Sequence, residues 1–545
     1  MTRNICLAVL LALVLALPFA LRPDPESGAR AAGATDETIV IISPHNEAIR
    51  YEFEAGFRRA YREKHGREVH LDWRLIGGTS EITRYLEGEY IASFQNHWTR
   101  ELGRPWSATV QSAFADGRLP KDAPEEAKAA RAAFLASNVG GGIDIFFGGG
   151  AYDFISQARA GRLVALHADD GARPDWMDEA VVPVKHAGDD FRDPEWRWTG
   201  AVLSSFGIVY NRDAIVRLGV PEPRAWSDLV DARYLGQVAL ADPTKSGSMN
   251  KAFENVLQQK IHEVVDARMS VARYASEEAR VAAEKAAVAD GWIEGLRLLQ
   301  AISANARYFT DSAQKVPIDV AAGNCAAGMC IDFYGRQQAE ALGRRSGSER
   351  VTYVSPPGGT VFSVDPIGLM RGAANPTGAQ EFIDYVMSRE GQRLWNQKPG
   401  TAGGPERYAL RRLPVRKDAY DEPGLAERRS DPQEMPYAIE DPLVYRPEWT
   451  AALFGELRFI MRVMCLDSHP ELVAAWREVS AAGSPPEAVA ALRDMTAVDY
   501  AASMGRIKSA LRAKDRVEEL KLARELGESF RAQYRRAAEL ARAGR

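Results

Sequence analysis

The sequence predicts an α/β protein whose strands end in polar loops, and three stretches carry that expectation. The first is residues 38–73. Apolar Ile39 to Ile42 forms a short buried strand, and Ser43, Pro44, His45 and Asn46 make a small polar loop. Ile49, Phe53 and Phe57 then share one helical face, Gly66 stops the helix, and Val69, Leu71 and Trp73 alternate as a second strand. The second stretch is Ile143 to Phe147, a buried strand followed at once by Gly148, Gly149 and Gly150 and by a helical pattern over Ala151 to Ala160. The third is the pair WTGAVLSSFGIVYN (198–211) and Gln237 to Asp242, the latter leading into Pro243-Thr-Lys-Ser-Gly-Ser248. Open α/β sheets bind ligands at the carboxyl ends of their strands, so these loops are the place to look for a site.

The remaining elements follow in order. Gly77, Gly78, Thr79 and Ser80 form a loop and helix start after the second strand. Residues 84–138 suit extra helices around a surface insertion. Residues 198–211 are expected as one long strand with two central serines, and 252–289 as one helical stretch rich in Ala, Glu and Arg, with a further helix over 292–303. Residues 316–333 form an element pair around a turn at Gly323 and Asn324. Strands at 351–354 and 366–370 flank a Pro/Gly loop, and 379–395 has amphipathic helical spacing. After Pro399 the character changes to a Pro-, Arg- and Asp-rich surface segment. Helices follow at 449–463 and 470–479, and one long charged helix over 504–541 either packs on its own protein or offers a partner surface.

Residues 1–34 have the form of an export signal: Arg3, an apolar run from Cys6 to Leu21, and the small residues Ala32, Gly33 and Ala34 at a cleavage site. Cleavage near Ala34 and a soluble periplasmic product are the expectation. The composition, 46% hydrophobic and 26% charged, supports a full globular core. The formal charge of −5 becomes −6 once the leader is removed, which disfavours nucleic-acid binding. An oxidising compartment would allow Cys325 and Cys330 to pair across a local turn, or to remain two buried thiols; no zinc spacing accompanies them.

Catalytic signatures are missing from the sequence. It contains no G-x-S-x-G, no H-E-x-x-H and no P-loop, and Asp153 stands where a dinucleotide fingerprint needs its last glycine. What remains is the set of strand-end loops. Glycines there admit backbone N–H groups to close range, hydroxyls add donors, and helix starts favour negative charge. Such a cradle suits a carboxylate, phosphate or phosphonate. Each member also has a structural role open to it. Ser80 and Ser246 suit helix caps, Gly148 to Gly150 a tight turn, and Ser204 and Ser205 satisfied core hydroxyls. His45 and Tyr334 suit either core or cleft, and Asp365 either a hinge or a contact to a basic ligand group.

With these residues in view, the chain resembles the extracellular solute-binding proteins of ABC importers, of the two-lobed type II periplasmic class. It is most similar to the branch that contains ferric-ion, thiamine and phosphonate binders. The segments that carry the resemblance are IVIISPHNEAIRYEFEAGF, IDIFFGGGAYDF, SSFGIVYNRDAI, ADPTKSGSM and DPIGLMRGAANPTGAQEFIDYVMSREGQRLW, over residues 38–415. The resemblance implies a first lobe over 35–205, a second over 206–350, a return over 351–415, hinge strands and an interlobe cleft. Residues 416–545 are then a helical C-terminal extension beyond the usual length. It implies ligand contacts at Ser43, His45, Asn46, Thr79, Ser80, Gly149, Gly150, Ser205, Ser246, Ser248 and Tyr334. It also implies capture of a small solute without catalysis or cofactor, by a monomer that delivers it to a membrane permease. A ferric or other metal carrier using His45 and Tyr334, with Glu47 or Asp332, is an alternative within the same fold. Only Tyr334, preceded by Phe333, stands where ferric binders show adjacent tyrosines. A sensor-input module or an exported enzyme on this fold is the further alternative.

Overall fold

The computed structural model describes residues 37–168, 173–270, 273–421, 424–439, 442–513 and 515–544. The expected leader lies outside them. Strand β1 (Glu37–Ile42) runs parallel to β2 (Val69–Arg74) and β3 (Ile145–Phe147). Ile39, Ile41 and Ile42 are fully buried because helices cover both faces of this parallel core. Helix α1 (Glu47–His65) joins β1 to β2; Asn46 caps its start and Gly66, in the left-handed region at φ 67°, ends it. The βαβ opening is as the sequence predicts.

Two sheets organise the molecule. The first is ordered β14-β7-β13-β3-β1-β2, with β4 (Leu163–Val164) pairing beside β13. Here β7 is Thr199–Ser204, β13 is Ser363–Met370 and β14 is Leu413–Pro414. The second is ordered β10-β9-β11-β8-β12, with β8 at Phe206–Asn211, β9 at Val238–Ala241, β10 at Ala306–Thr310, β11 at Ala327–Ile331 and β12 at Val351–Val354. A small hairpin pairs β5 (Lys185–His186) with β6 (Asp189–Asp190). The chain crosses between the sheets at Ser205 and returns between Val354 and Ser363. This is the two-lobed α/β arrangement expected, with a crossing at each of two hinge segments.

Several local expectations differ, and one open alternative is decided. The apolar run 198–211 is two strands in different sheets, broken at Ser205, because both halves are equally buried and nothing apolar marks the change of sheet. Val351–Val354, expected in the return segment, pairs antiparallel with β8 and so belongs to the second sheet. Cys325 and Cys330 are both free and buried. Cys330 lies in β11, whereas Cys325 precedes the strand and its thiol lies 3.8 Å from the Tyr308 hydroxyl.

The helices that frame the cleft are α2 (Thr79–Asn96), α3 (Ala151–Ala160), α4 (Gly247–Met269), α5 (Glu277–Ala304) and α6 (Asp332–Ser346). The helical stretch expected over 252–289 is thus shared by α4 and α5. Helices α7 (Pro376–Met387) and α8 (Arg389–Asn396) return against the first sheet, separated by Ser388, which caps α8. Buried Glu52 of α1 ties in the following loop by accepting the backbone N–H groups of Glu406, Arg407 and Tyr408 at 2.6, 2.8 and 2.6 Å.

The described residues from 416 onward pack on both lobes. Lys417 N donates to Val181 O and Tyr445 N to Ala187 O, so the strap runs along the first lobe. Helices α9 (Phe454–Met461), α10 (His469–Ala481) and α11 (Arg516–Ala543) then cover α4 and α5 of the second lobe. Trp292 Nε1 donates to Val498 O, and Gln300 Nε2 to Tyr534 OH. The charged helix begins at Arg516, where Asp515 caps it, and its apolar face, with Phe530 and Tyr534 fully buried, packs on its own protein. Among the described residues no helix is long and apolar enough to cross a membrane.

Candidate functional site

The loops at the ends of β1, β2, β3 and β9 converge between the lobes. The cleft they line has a volume of about 350 Å³. His45, Thr79 and Gly149 come from the first lobe, and Ser246, Ser248 and Tyr334 from the second. Three helix starts meet there. Gly78 caps α2, Gly150 caps α3, and Ser246 caps α4 through its hydroxyl, which accepts Met249 N at 3.1 Å. The starts of α2 and α4 touch across the lobes, and those of α2 and α3 within the first lobe. A Cβ on Gly78 would stand 2.8 Å from Lys245 O, a Cβ on Gly247 2.8 Å from Thr79 Oγ1, and a Cβ on Gly149 2.2 Å from Thr79 Cγ2. Gly149, at φ 114°, also needs glycine for its backbone conformation. The positive ends of three helix dipoles therefore point into one space.

Behind this space lies a buried polar cluster. Arg412 is fully buried; its Nη2 lies 2.7 Å from Asp365 Oδ2 and bonds Ser204 Oγ, and its Nη1 is 3.4 Å from His45 Nε2. The guanidinium stacks over Phe333 at 4.3 Å. Asp365 is placed by a register shift in β13: Pro366 has no N–H to give the ladder, and the strand bulges between the two residues. Burial pushes Asp365 toward the neutral acid, but Arg412 and His45 overcome it and hold the carboxyl below its ordinary range. Burial, with help from the charge of Arg412, keeps His45 below its ordinary pKa against the pull of Asp365, so the ring is neutral at pH 7. His45 packs edge-on against Phe147, its centroid 4.6 Å away, and its Nδ1 has no protein partner.

The other expected residues are placed differently. Ser43 is buried and accepts His45 N at 3.1 Å, shaping the loop without lining the cleft. Asn46 caps α1 by accepting Ile49 N. Ser80 is not a helix cap; it accepts from Arg458 Nη1 of α9 at 3.2 Å. Gly150 lines an adjoining chamber with Ser204, whereas Ser205 marks the crossover and its hydroxyl is buried without a partner. Tyr334 OH accepts Gln314 Nε2 at 2.8 Å, and burial pushes its phenol up to about 12. A metal at His45 and Tyr334 would meet the Arg412 cation beside His45, and no group of three His, Cys, Asp or Glu side chains suited to a metal occurs among the described residues.

Comparison with known proteins adds the family. Residues 174–401 match the family model described as bacterial extracellular solute-binding protein. This stretch belongs to the bacterial extracellular solute-binding proteins. A protein of Haemophilus influenzae described only as uncharacterized is 26% identical over 261 residues, 47% of this chain and 61% of its own length. The phosphoglycerate transport regulatory protein PgtC of Salmonella typhimurium is 25% identical over 194 residues, 35% of this chain and 39% of its own. The chain thus spans about three fifths or less of the curated relatives it matches. Among solved structures, the periplasmic binding protein AfuA of Actinobacillus pleuropneumoniae has a TM-score of 0.41 at 14% identity, covering 66% of this chain and 81% of that one. The apo ferric ion-binding protein A of Pasteurella haemolytica has a TM-score of 0.45 at 12% identity, covering 78% and 96%.

The solute-binding stretch includes β7 to β13 and hence both crossings, Tyr334 and Asp365, while the loops after β1, β2 and β3 precede it. Arg412, buried behind the cleft, is a residue that the sequence does not announce. It follows Arg411 in a basic run, and its partner Asp365 lies far upstream in the chain, so no local spacing announces the pair.

Proposed function

We propose that this protein is the solute-capturing component of an ABC importer and that its solute is a small organic anion bearing a carboxylate, phosphate or phosphonate. The convergence of the α2, α3 and α4 starts from both lobes carries the reading. Backbone N–H groups at three dipole ends hold an anion through directed hydrogen bonds. Thr79, Ser246 and Ser248 add hydroxyl contacts, and His45 and Tyr334 stand at the cleft wall. A relative named for phosphoglycerate transport agrees with an anionic solute.

Binding shifts the lobes toward the closed arrangement by bridging them at Gly78 and Gly247, and the closed form docks on a permease. Capture occurs in the periplasm, and the cleft serves for holding and release, not for bond making. A thermal-shift screen tests the reading: phosphonates, phosphate esters and carboxylates raise the melting temperature, and neutral sugars of the same size do not. Stabilisation by neutral sugars alone would reject the anionic class.

A further inference from the structure

The C-terminal extension touches both lobes, and it bridges them at two places. The first is Tyr445. Its backbone N donates to Ala187 O of the first lobe at 2.7 Å, and its hydroxyl donates to Glu254 Oε1 of α4, in the second lobe, at 2.8 Å. Next to it, Arg446 N donates to Gln258 Oε1 at 3.0 Å, and Gln258 Nε2 donates back to Arg446 O at 2.9 Å. Lys251 Nζ of α4 lies 3.7 Å from the centre of the Tyr445 ring and 3.4 Å from Asp189 Oδ2 of the first lobe. The chain thus passes between the lobes a third time. Tyr445 packs there with Leu443 and with Val361 of the second crossing. Contacts beside a hinge segment move little when the lobes rotate, so this attachment survives opening.

The second place is α9, which rides on the second lobe: the fully buried Asn250 of α4 donates Nδ2 to Phe454 O at 2.8 Å. From there Arg458 Nη1 donates to Ser80 Oγ of α2 at 3.2 Å, and the Phe454 ring centre lies 4.6 Å from that of Tyr152 in α3. Helices α2 and α3 belong to the first lobe, so a rotation that opens the cleft pulls both contacts apart. The fastening is incomplete. Arg458 Nε and Nη2 are buried without a partner, and Asp153 of α3 faces Arg458 but bonds Thr79. Opening returns those two donors to water, which offsets part of the bond that is lost and makes the contact reversible.

We propose that the C-terminal extension is an interlobe clasp. It is anchored beside the hinge at Tyr445, and α9 fastens the closed cleft through the Arg458–Ser80 bond and the Phe454–Tyr152 contact. The cleft rests closed, and release of Arg458 from Ser80 admits the solute. The clasp biases the same closing motion that the solute biases, yet it is independent of the solute's class, because neither Arg458 nor Ser80 lines the cleft.

Distance measurement between two spin labels on the full chain tests this without any solute. The labels go on Leu75→Cys, just before the Gly77–Gly78 loop, and on Ile318→Cys, just after Gln314 on the opposite wall; the two native side chains are 53% and 48% exposed. The described native cysteines are buried. The labelled parent should show mainly the short, closed distance. Ser80→Ala, which removes only a hydroxyl, and Arg458→Met should each move the closed-to-open ratio toward open by about tenfold. Arg462→Met breaks a pair with Asp467 inside the extension, 3.2 Å apart, and should leave the distances as they are. A mainly open parent, or unchanged distances in both Ser80→Ala and Arg458→Met, would overturn the proposal. An Arg462→Met shift as large as theirs would also overturn it, because general loosening of the extension would then explain the opening.

Discussion

Arg412 and Asp365 form a buried ion pair, Nη2 to Oδ2 at 2.7 Å, that joins the segment entering β14 to the strand returning from the second lobe. The arginine has no exposure to solvent, and its ring contacts with Phe333 and Trp395 hold it in place. Such a pair adds little net stability over an apolar pair of equal volume, but breaking it is expensive. Arg412→Met should therefore cost about 3–5 kcal/mol in urea unfolding, because Asp365 is left charged and unpaired. The double variant Arg412→Met/Asp365→Asn should recover a large part of that loss. A double variant as unstable as the single one would show that the pairing is not what the arginine supplies.

Glu52 should behave as a purely structural carboxylate. Its oxygens accept three backbone N–H groups from residues 406–408. Glu52→Ala leaves those donors buried without partners and should destabilise by about 2–4 kcal/mol. Hydrogen exchange at the amides of 406–408 should accelerate locally; unchanged exchange there would contradict the assignment.

Asp332 gives a pH dependence of known sign. It is fully buried at the start of α6, and burial, only partly offset by Arg336 and Arg412, raises its carboxyl from 3.8 to about 6. Between those values the folded state binds more protons than the unfolded state, so this group's contribution to stability falls as pH rises. Asp332→Asn keeps an acceptor for Phe333 N, now at 2.8 Å, and removes the titration. Relative to wild type the variant should gain on the order of 3 kcal/mol between pH 3.8 and 6, and nothing further above it. A difference independent of pH would contradict this account.

The closure of the lobes can be tested at Gly78. Its backbone is extended at φ −75°, so any residue fits locally, yet a Cβ would stand 2.8 Å from Lys245 O in the opposite lobe. Gly78→Val should fold with near-normal stability, enlarge the radius of gyration measured by small-angle scattering, and weaken solute binding about tenfold or more. A valine variant with unchanged dimensions would show that the lobes do not close on this contact.

Local signals explain which parts were legible in the sequence. The β1-α1-β2 opening, the glycines before α3 and the Ser246 cap each follow from spacing within one element and stand where expected. Six of the expected contacts, His45, Thr79, Gly149, Ser246, Ser248 and Tyr334, do line the cleft. Ser43, Asn46 and Ser80 lie outside the lining of the cleft. A small polar residue near a strand end serves loop, cap or ligand equally well: Ser43 and Asn46 accept from the nearby His45 N and Ile49 N, and Ser80 from the distant Arg458. The break at Ser205 and the Arg412–Asp365 pair depend on contacts between segments far apart in the chain, which carry no periodic trace.

The central claim is that three helix starts from two lobes hold a small organic anion. The direct measurement is titration calorimetry of the full chain with a panel of phosphonates, phosphate esters and carboxylates, repeated for Gly247→Val, whose Cβ would stand 2.8 Å from Thr79 Oγ1 across the cradle. At least one anion should bind the wild type, stabilise it by about 2.7 kcal/mol at 100 times its dissociation constant, and fail to bind the variant. Binding that survives Gly247→Val unchanged, or the absence of binding by every anion in the panel, would contradict the account.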